Sequence, residues 1–574
     1  MNGKGALAAL VLAVLACEEA PPSGAAPAPS FREASDRALA EAFVLFPELG
    51  VYLGDHSGDG KLSYPDAQHT AAAIAWAKAT ETAMAAFDSA ALTPTERVER
   101  DSWLLETRGV VFSLETRRAS ARDPISYTNA FDVAPYIAKN YAPLAQRARA
   151  LAAHADAGVR VLALAEQQLE PVLPRAPLEV ALNIARGAAP FLRDELPLAL
   201  AELAEPERAE ALAAAERLAL AGERYVAFLE ARLPAADASF ALGEAELLRM
   251  LRETQGVTMT VAEIDALCSA EIERDRAALA LAAGQIDAKR DVEAVVREVL
   301  ADKPAASEVI DVAREATELL RKRVVEREIA TIPAPDPLLV MPSPAYMRSG
   351  FAFLSAGGPL EPSAVESHYY ITPPDPAWTP EQQRDAIMAR TVLLDVSAHE
   401  AFPGHFLHAV WSRQIPERTR RALAGLGSIV TVEGWGLYAE EIAWEAGDRD
   451  PRARVAQIEE ALLRGARCKS SLGLHTRGWS VEDATRAFQE IAHQAEVVAR
   501  EEALRGTYDA MYLGYTLGKA KIRALREELR ARAEAEGRAF SARAFHDEFM
   551  SYGGAPLPAI REAMLQSVAR GAAR

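Results

Sequence analysis

Cysteine is scarce in this chain: Cys17, Cys268 and Cys468 are the only three in 574 residues. Cys268 follows the helical apolar pair Ala266-Leu267, and Cys468 lies two hundred positions away. Both read as small buried hydrophobes, so stability is expected from core packing and not from cross-links. Basic charge is also short. Lys and Arg number 63 against 82 Asp and Glu, a net charge of −19, which argues against general nucleic-acid binding because a phosphate backbone rewards a basic surface. After the first thirty residues no apolar run approaches eighteen, so no membrane-spanning helix is expected there. Period-two clusters of β-branched residues are nearly missing, no fixed-period repeat marks a solenoid, and no Ser/Gly linker follows Ser30.

What remains is half apolar and one quarter charged, enough for a large core and unlike a disordered chain. The first thirty residues stand apart. Lys4 precedes an apolar run, Ala6–Ala16, that is too short to span a bilayer but fits the h-region of an export signal. Val14-Leu15-Ala16-Cys17 resembles a bacterial lipobox, in which the Cys is acylated after cleavage. Residues 1–16 are therefore read as a lipoprotein signal, and 17–31 as lipidated Cys17 plus a Pro/Ala/Ser tether. Residues 32–574 are read as one helical body. Loss of Lys4 with the leader leaves 62 against 82, or −20. The expected location is the cell envelope, facing the periplasm or exterior, with membrane attachment through the lipid alone.

Ala, Leu, Glu and Arg at helical spacing predict helices over 144–169, 207–233, 292–328, 384–394 and 520–535. The fold class is thus predominantly all-α, a large body of one or two lobes with a deep cleft. Around 342–374, Gly350, Phe351, Gly357, Gly358 and Pro359 precede His368-Tyr369-Tyr370-Ile371, which predicts a loop with a short strand or two.

Three of the ten histidines, His399, His405 and His408, fall within ten positions. A zinc-peptidase helix places two His four apart on one face. Here Pro403 takes the fourth position after His399, and six residues of unbroken helix would turn His405 away by ~240°. Pro403 and Gly404 permit a break that swings His405 back, while Glu400 stays beside the first His, where a general base would sit. His408 reads as a packing or surface residue.

This H-E-x-x-P-G-H segment, followed by Glu433-Gly434-Trp435-Gly436-Leu437-Tyr438-Ala439-Glu440, resembles the bacterial family known as domain of unknown function 885. That family is similar to helical gluzincin peptidases such as thimet oligopeptidase, angiotensin-converting enzyme and carboxypeptidase Taq. Tyr515-Thr516-Leu517-Gly518-Lys519, Ala555-Pro556-Leu557-Pro558 and the early 49–55 segment extend the likeness over essentially the whole mature chain. The resemblance implies one Zn²⁺ per chain held by His399, His405 and Glu433, with Glu440 or Glu441 the next choice of carboxylate ligand. Two imidazoles, one carboxylate and an open position make a catalytic zinc shell. It further implies Glu440 as the carboxylate that orients a ligand His, and Glu400 as general base. An oxyanion-stabilising Tyr is implied too, with Tyr515 leading and Tyr508, Tyr512 and Tyr552 as rivals. His368 and Tyr369 resemble the edge strand that holds peptide backbone in angiotensin-converting enzyme. Lys519 is set down as a residue that receives a substrate carboxylate or is simply solvated.

The implied activity is peptide hydrolysis, with a peptide as partner. A zinc hydrolase of another amide or ester and a non-catalytic peptide-binding lipoprotein are the alternatives. Residues 55–66 imitate the spacing of an EF-hand calcium loop. Asp66 at the twelfth position and Pro65 before an exiting helix favour a plain Asp/Gly turn.

Overall fold

The computed structural model describes residues 29–333, 337–344, 352–362, 365–374 and 378–569. Cys17, its leader and the tether up to residue 28, and Gly350 and Phe351, lie outside the described residues; at the expected end of the tether, Ser30 instead caps and Phe31 opens the helix Phe31–Leu45. The described chain is mostly α-helical with one small sheet. Leu144–Gln168, Glu207–Glu230 and Gly514–Ala535 are single helices at or near the expected places.

Two expected helices are instead split. The 292–328 stretch divides into Val292–Ala301 and Val309–Glu326, because Pro304 has no N–H with which to continue the ladder. The 384–394 run divides between Pro380–Ala386 and Arg390–Glu400. The break is stabilised tertiarily: the Arg390 N–H donates to the Asp302 carbonyl (2.9 Å), satisfying an amide that the new helix leaves open.

The sheet has three strands, β1 (Leu338–Pro342), β2 (Ala352–Ser355) and β3 (Ser367–Ile371), in the order β1-β3-β2. β3 runs parallel to β1 and antiparallel to β2. His368 and Tyr369 therefore lie on the central strand, buried, and not on an edge. The edge available near the cavity is β2, a pairing order that alternation in so short a segment does not encode.

The expectation of no cross-link is also corrected. Cys268 and Cys468 form a disulfide, Cα atoms 6.4 Å apart, between the Val261–Ile286 and Pro451–Thr476 helices. Both side chains are fully buried as expected, but the long contact between these helices brings them together. Separation along the chain carries no information about such a crossing.

The calcium-like turn spends its carboxylates on the protein. Asp55 accepts from the Ser57 N–H and pairs with Arg418, and Asp66 caps the Ala67–Ala85 helix by accepting from the His69 N–H (2.7 Å). Asp59 takes His56 Nδ1 (2.9 Å) and the Tyr141 hydroxyl (2.7 Å). His56 Nε2 reaches across to the buried Glu361 (3.1 Å), and its ring stacks on Tyr141. Gly54 and Gly358 interlock beside this bridge, where a Cβ on either would strike the opposite loop. The turn is a latch between the N-terminal helices and the loop that leaves β2.

Burial pushes the His56 pKa down, but the Asp59 and Glu361 carboxylates outweigh it and raise it from 6.5 to about 9. Its contribution to stability is complete below 6.5 and is lost as the pH rises through about 9. Thermal melts between about pH 7 and pH 10 should show wild type losing a few degrees more than His56→Gln. Parallel curves for the two proteins would contradict this.

Candidate metal centre

The helix Arg390–Glu400 ends at Glu400, and a new helix, His405–Arg413, starts at His405. Gly404 lies so close to the end of the first helix that a Cβ would overlap the backbone carbonyls of Ala398 and His399. Only glycine permits this return. The Trp435 indole donates to the Pro403 carbonyl (3.0 Å), holding the break from the helix Ile429–Ala446. Trp435, which reads as ordinary core in the sequence, is thus also a brace for the ligand turn.

The returned chain brings the two imidazoles edge to face, with ring centroids 4.5 Å apart. Glu433 Oε2 faces both: 3.5 Å from His399 Nε2 and 3.3 Å from His405 Nε2. Donor atoms of His399, His405 and Glu433 all lie within 4.8 Å of one another, the one such group of three among the described residues. Glu440, seven residues after Glu433 on the same helix, accepts from His399 Nδ1 (2.7 Å). That bond fixes the tautomer and leaves Nε2 turned towards Glu433. Gly436 completes the fit, since a Cβ there would lie 2.7 Å from His399 Nε2 and 2.9 Å from His405 Cε1. Gly434 and Gly518 do the same farther back, where the Gly514–Ala535 helix crosses too closely for any side chain between them.

Burial alone would lower the His399 pKa, yet the Glu433 and Glu440 carboxylates raise it to about 10. Glu433 is held well below the usual carboxylate range in spite of burial, because His405 and His399 face it. Its Oε2 is buried without a hydrogen-bond partner, as is His405 Nδ1. Two imidazoles and a carboxylate, converging with an unsatisfied oxygen between them, are a donor set that fits a divalent metal with an open position. Behind His399, burial and then Glu440 push the Asp395 pKa well above the ordinary value.

A cavity of about 1440 Å³ opens onto this group and is lined by His399, Glu400, His405, Glu433 and Tyr515. Glu400 accepts a hydrogen bond from the Leu354 N–H of β2 (3.0 Å), so the candidate base and the sheet edge are joined. Tyr515 lies beside His399, ring centroids 6.3 Å apart, with Arg467 over its ring at 4.9 Å. Burial raises the Tyr515 pKa to about 12, so the hydroxyl keeps its proton as a donor must. Of its rivals, Tyr508 also lines the cavity, whereas Tyr512 and Tyr552 do not.

Other predicted residues fall elsewhere. Lys519 is 1% exposed and pairs with Glu441 (3.2 Å) and Asp275 (3.8 Å), so it is neither solvated nor on the cavity wall. Glu441 faces that lysine and Arg274, away from the imidazoles. Tyr369 bonds to Ser397 (3.3 Å) beneath the first ligand helix, and neither it nor His368 lines the cavity. His408 packs on Trp435, its pKa lowered to about 4 by burial. Residues that sequence reasoning missed are Gly436, Leu354, Lys139, Arg464 and Arg467. Only Gly436 had a readable signal, since it stands three positions after Glu433 on the same helical face.

With this geometry in hand, the family model for a bacterial protein of unknown function, DUF885, matches residues 47–564. The chain belongs to the DUF885 family. Two solved structures share its fold at a TM-score of 0.75. One is a candidate lipoprotein of unknown function from Shewanella oneidensis, 24% identical, covering 94% of this chain and 100% of that one. The other is a candidate lipoprotein from Colwellia psychrerythraea, 15% identical, covering 94% and 99%. A Pyrococcus furiosus carboxypeptidase matches at a TM-score of 0.37 and 10% identity over 94% and 96%, a likeness too loose to bear on chemistry. No curated protein matches the chain.

Gly436 gives a direct check on the geometry. Gly436→Ala should keep the helix, since alanine is the better helix former, yet weaken divalent-metal binding at least about tenfold by crowding both rings. Circular dichroism with metal titration reads both, and unchanged affinity would refute the packing described.

Proposed function

We propose that this DUF885 protein is a lipid-anchored, exported zinc peptidase. The observation that carries the reading is the convergence of His399, His405 and Glu433 at the cavity wall, with Glu400 immediately beside them. Zinc held by these three residues would supply Lewis acidity, lowering the pKa of a coordinated water and polarising a carbonyl.

The chain's own residues supply the rest. Glu400 Oε2, positioned by the Leu354 N–H, takes the proton from the attacking water and hands it to the departing amine. The Tyr515 hydroxyl donates to the oxygen on which negative charge grows. Glu440 keeps the His399 ring in place. The substrate backbone pairs with the outer edge of β2, which lines the cavity from Ala352 to Ser355. Main-chain pairing of that kind suits a peptide better than a small ester.

Export is supported by the lipobox-like run ending at Cys17 and by the buried Cys268–Cys468 disulfide, a bond that persists in oxidising compartments. No helix among the described residues is long and apolar enough to cross a membrane. Attachment is accordingly assigned to lipid on Cys17.

Glu400→Gln should retain metal at wild-type stoichiometry while peptide hydrolysis falls by about 10²–10⁴-fold. Metal analysis paired with a peptide-library digest read by mass spectrometry tests this, and full activity in the variant would sink the mechanism.

A further inference from the structure

Among the described residues, the cavity wall carries three buried cations that the proposed chemistry does not use, and two of them, Arg464 and Arg467, are held by hydrogen-bonded carboxylates. Lys139 follows the short helix Ala134–Ala138, is 8% exposed and lines the cavity. Its ion pair is with Glu361 Oε1 at 3.8 Å, beyond hydrogen-bond reach. The other oxygen of Glu361 is already engaged by His56 at 3.1 Å. Among the described residues the Lys139 ammonium makes no hydrogen bond, and its three donors are left to the cavity, while it is Glu361 Oε1 that is buried without a partner.

Its surroundings carry both signs. Arg413 lies against Gly357 and its charge is felt at Lys139. His368, opposite Ser355 in the β2–β3 register, is close enough to feel the Lys139 charge and has its Nδ1 buried without a hydrogen bond. Three carboxylates oppose them, Glu361 beside the lysine, Asp132 farther off and Glu366 near His368.

Leu354 of β2 holds Glu400, and the loop that leaves β2 carries Glu361 to Lys139, so the lysine and the candidate base face one cavity. We propose that Lys139 is a specificity-determining residue that receives a carboxylate carried by the substrate away from the bond cleaved. The carboxylate belongs either to an acidic side chain or to the peptide's free terminus. This rests on the peptidase reading and names a substrate class for it. The latch formed by His56, Asp59 and Glu361 explains why the charge is placed so firmly: it occupies the nearest carboxylate and fixes the loop that faces the lysine.

The test compares kcat/KM for peptides of one sequence, with Glu exchanged for Gln at each position and with a free or amidated C-terminus. Wild type should favour a carboxylate-bearing peptide about tenfold, the worth of one charge-assisted hydrogen bond. Whether the Glu/Gln series or the free/amidated pair shows the preference identifies the source of the carboxylate. Lys139→Met and the milder Lys139→Gln should bring the ratio near unity, and Lys139→Arg should restore it. Equilibrium binding of the same peptides to the Glu400→Gln protein, with and without Lys139→Gln, gives a readout independent of turnover. Loss of discrimination there upholds the assignment even if no peptide is cleaved, an outcome that would remove only the hydrolytic reading. Equal binding of charged and neutral peptides, or a preference unaltered by the Lys139 variants, overturns it.

Discussion

The centre depends on one steric constraint: two imidazoles six residues apart must meet a carboxylate from another helix, with no side chain between. A continuous helix forbids this, so the chain stops at Glu400 and restarts at His405. The restart is possible because residue 404 has no Cβ to strike the His399 carbonyl. The meeting is possible because residue 436 has none to strike the rings. Trp435 then holds the turn and Glu440 holds the ring, both from the helix that carries Glu433. A single helix thus supplies the ligand, the clearance, the brace and the orienting carboxylate.

Buried charge is the second organising feature. Around the imidazoles, Glu433 and Glu440 are compensated by His399, His405 and Arg464. Farther back, Lys519, Arg274 and Arg523 are balanced by Glu441, Asp275 and Glu271, with Arg274 bidentate on Glu441 (2.8 and 2.9 Å). Removing a single partner from such a group would leave an uncompensated buried charge, costing about 3–5 kcal/mol. This is why Lys519 is structural here: its charge is consumed by neighbours on two other helices, away from the cavity wall.

Much of the centre was legible because its information is local. The Pro403-Gly404 break and the adjacency of Glu400 to His399 follow from backbone sterics and chain order, while Glu433 is named through the family resemblance, with helical period then placing Glu440 on its face. The long amphipathic helices were legible for the same reason. What sequence could not show is contact across chain distance. The Cys268–Cys468 bond arises where two helices cross, the central place of β3 arises from pairing order, and Lys139 reaches the cavity from the other half of the chain. The helix break at 387–389 belongs to the same class, since its closing amide, that of Arg390, is received by the Asp302 carbonyl of another segment, whereas Pro304 marks the break at 302–308 in the sequence itself.

X-ray absorption spectroscopy on the zinc-loaded, full-length protein tests the central claim most directly. The account predicts a four-coordinate shell of two imidazole nitrogens and oxygen donors at about 2.0–2.1 Å, with no sulfur. A shell containing sulfur, an all-oxygen shell, or a protein that takes up no zinc would contradict it.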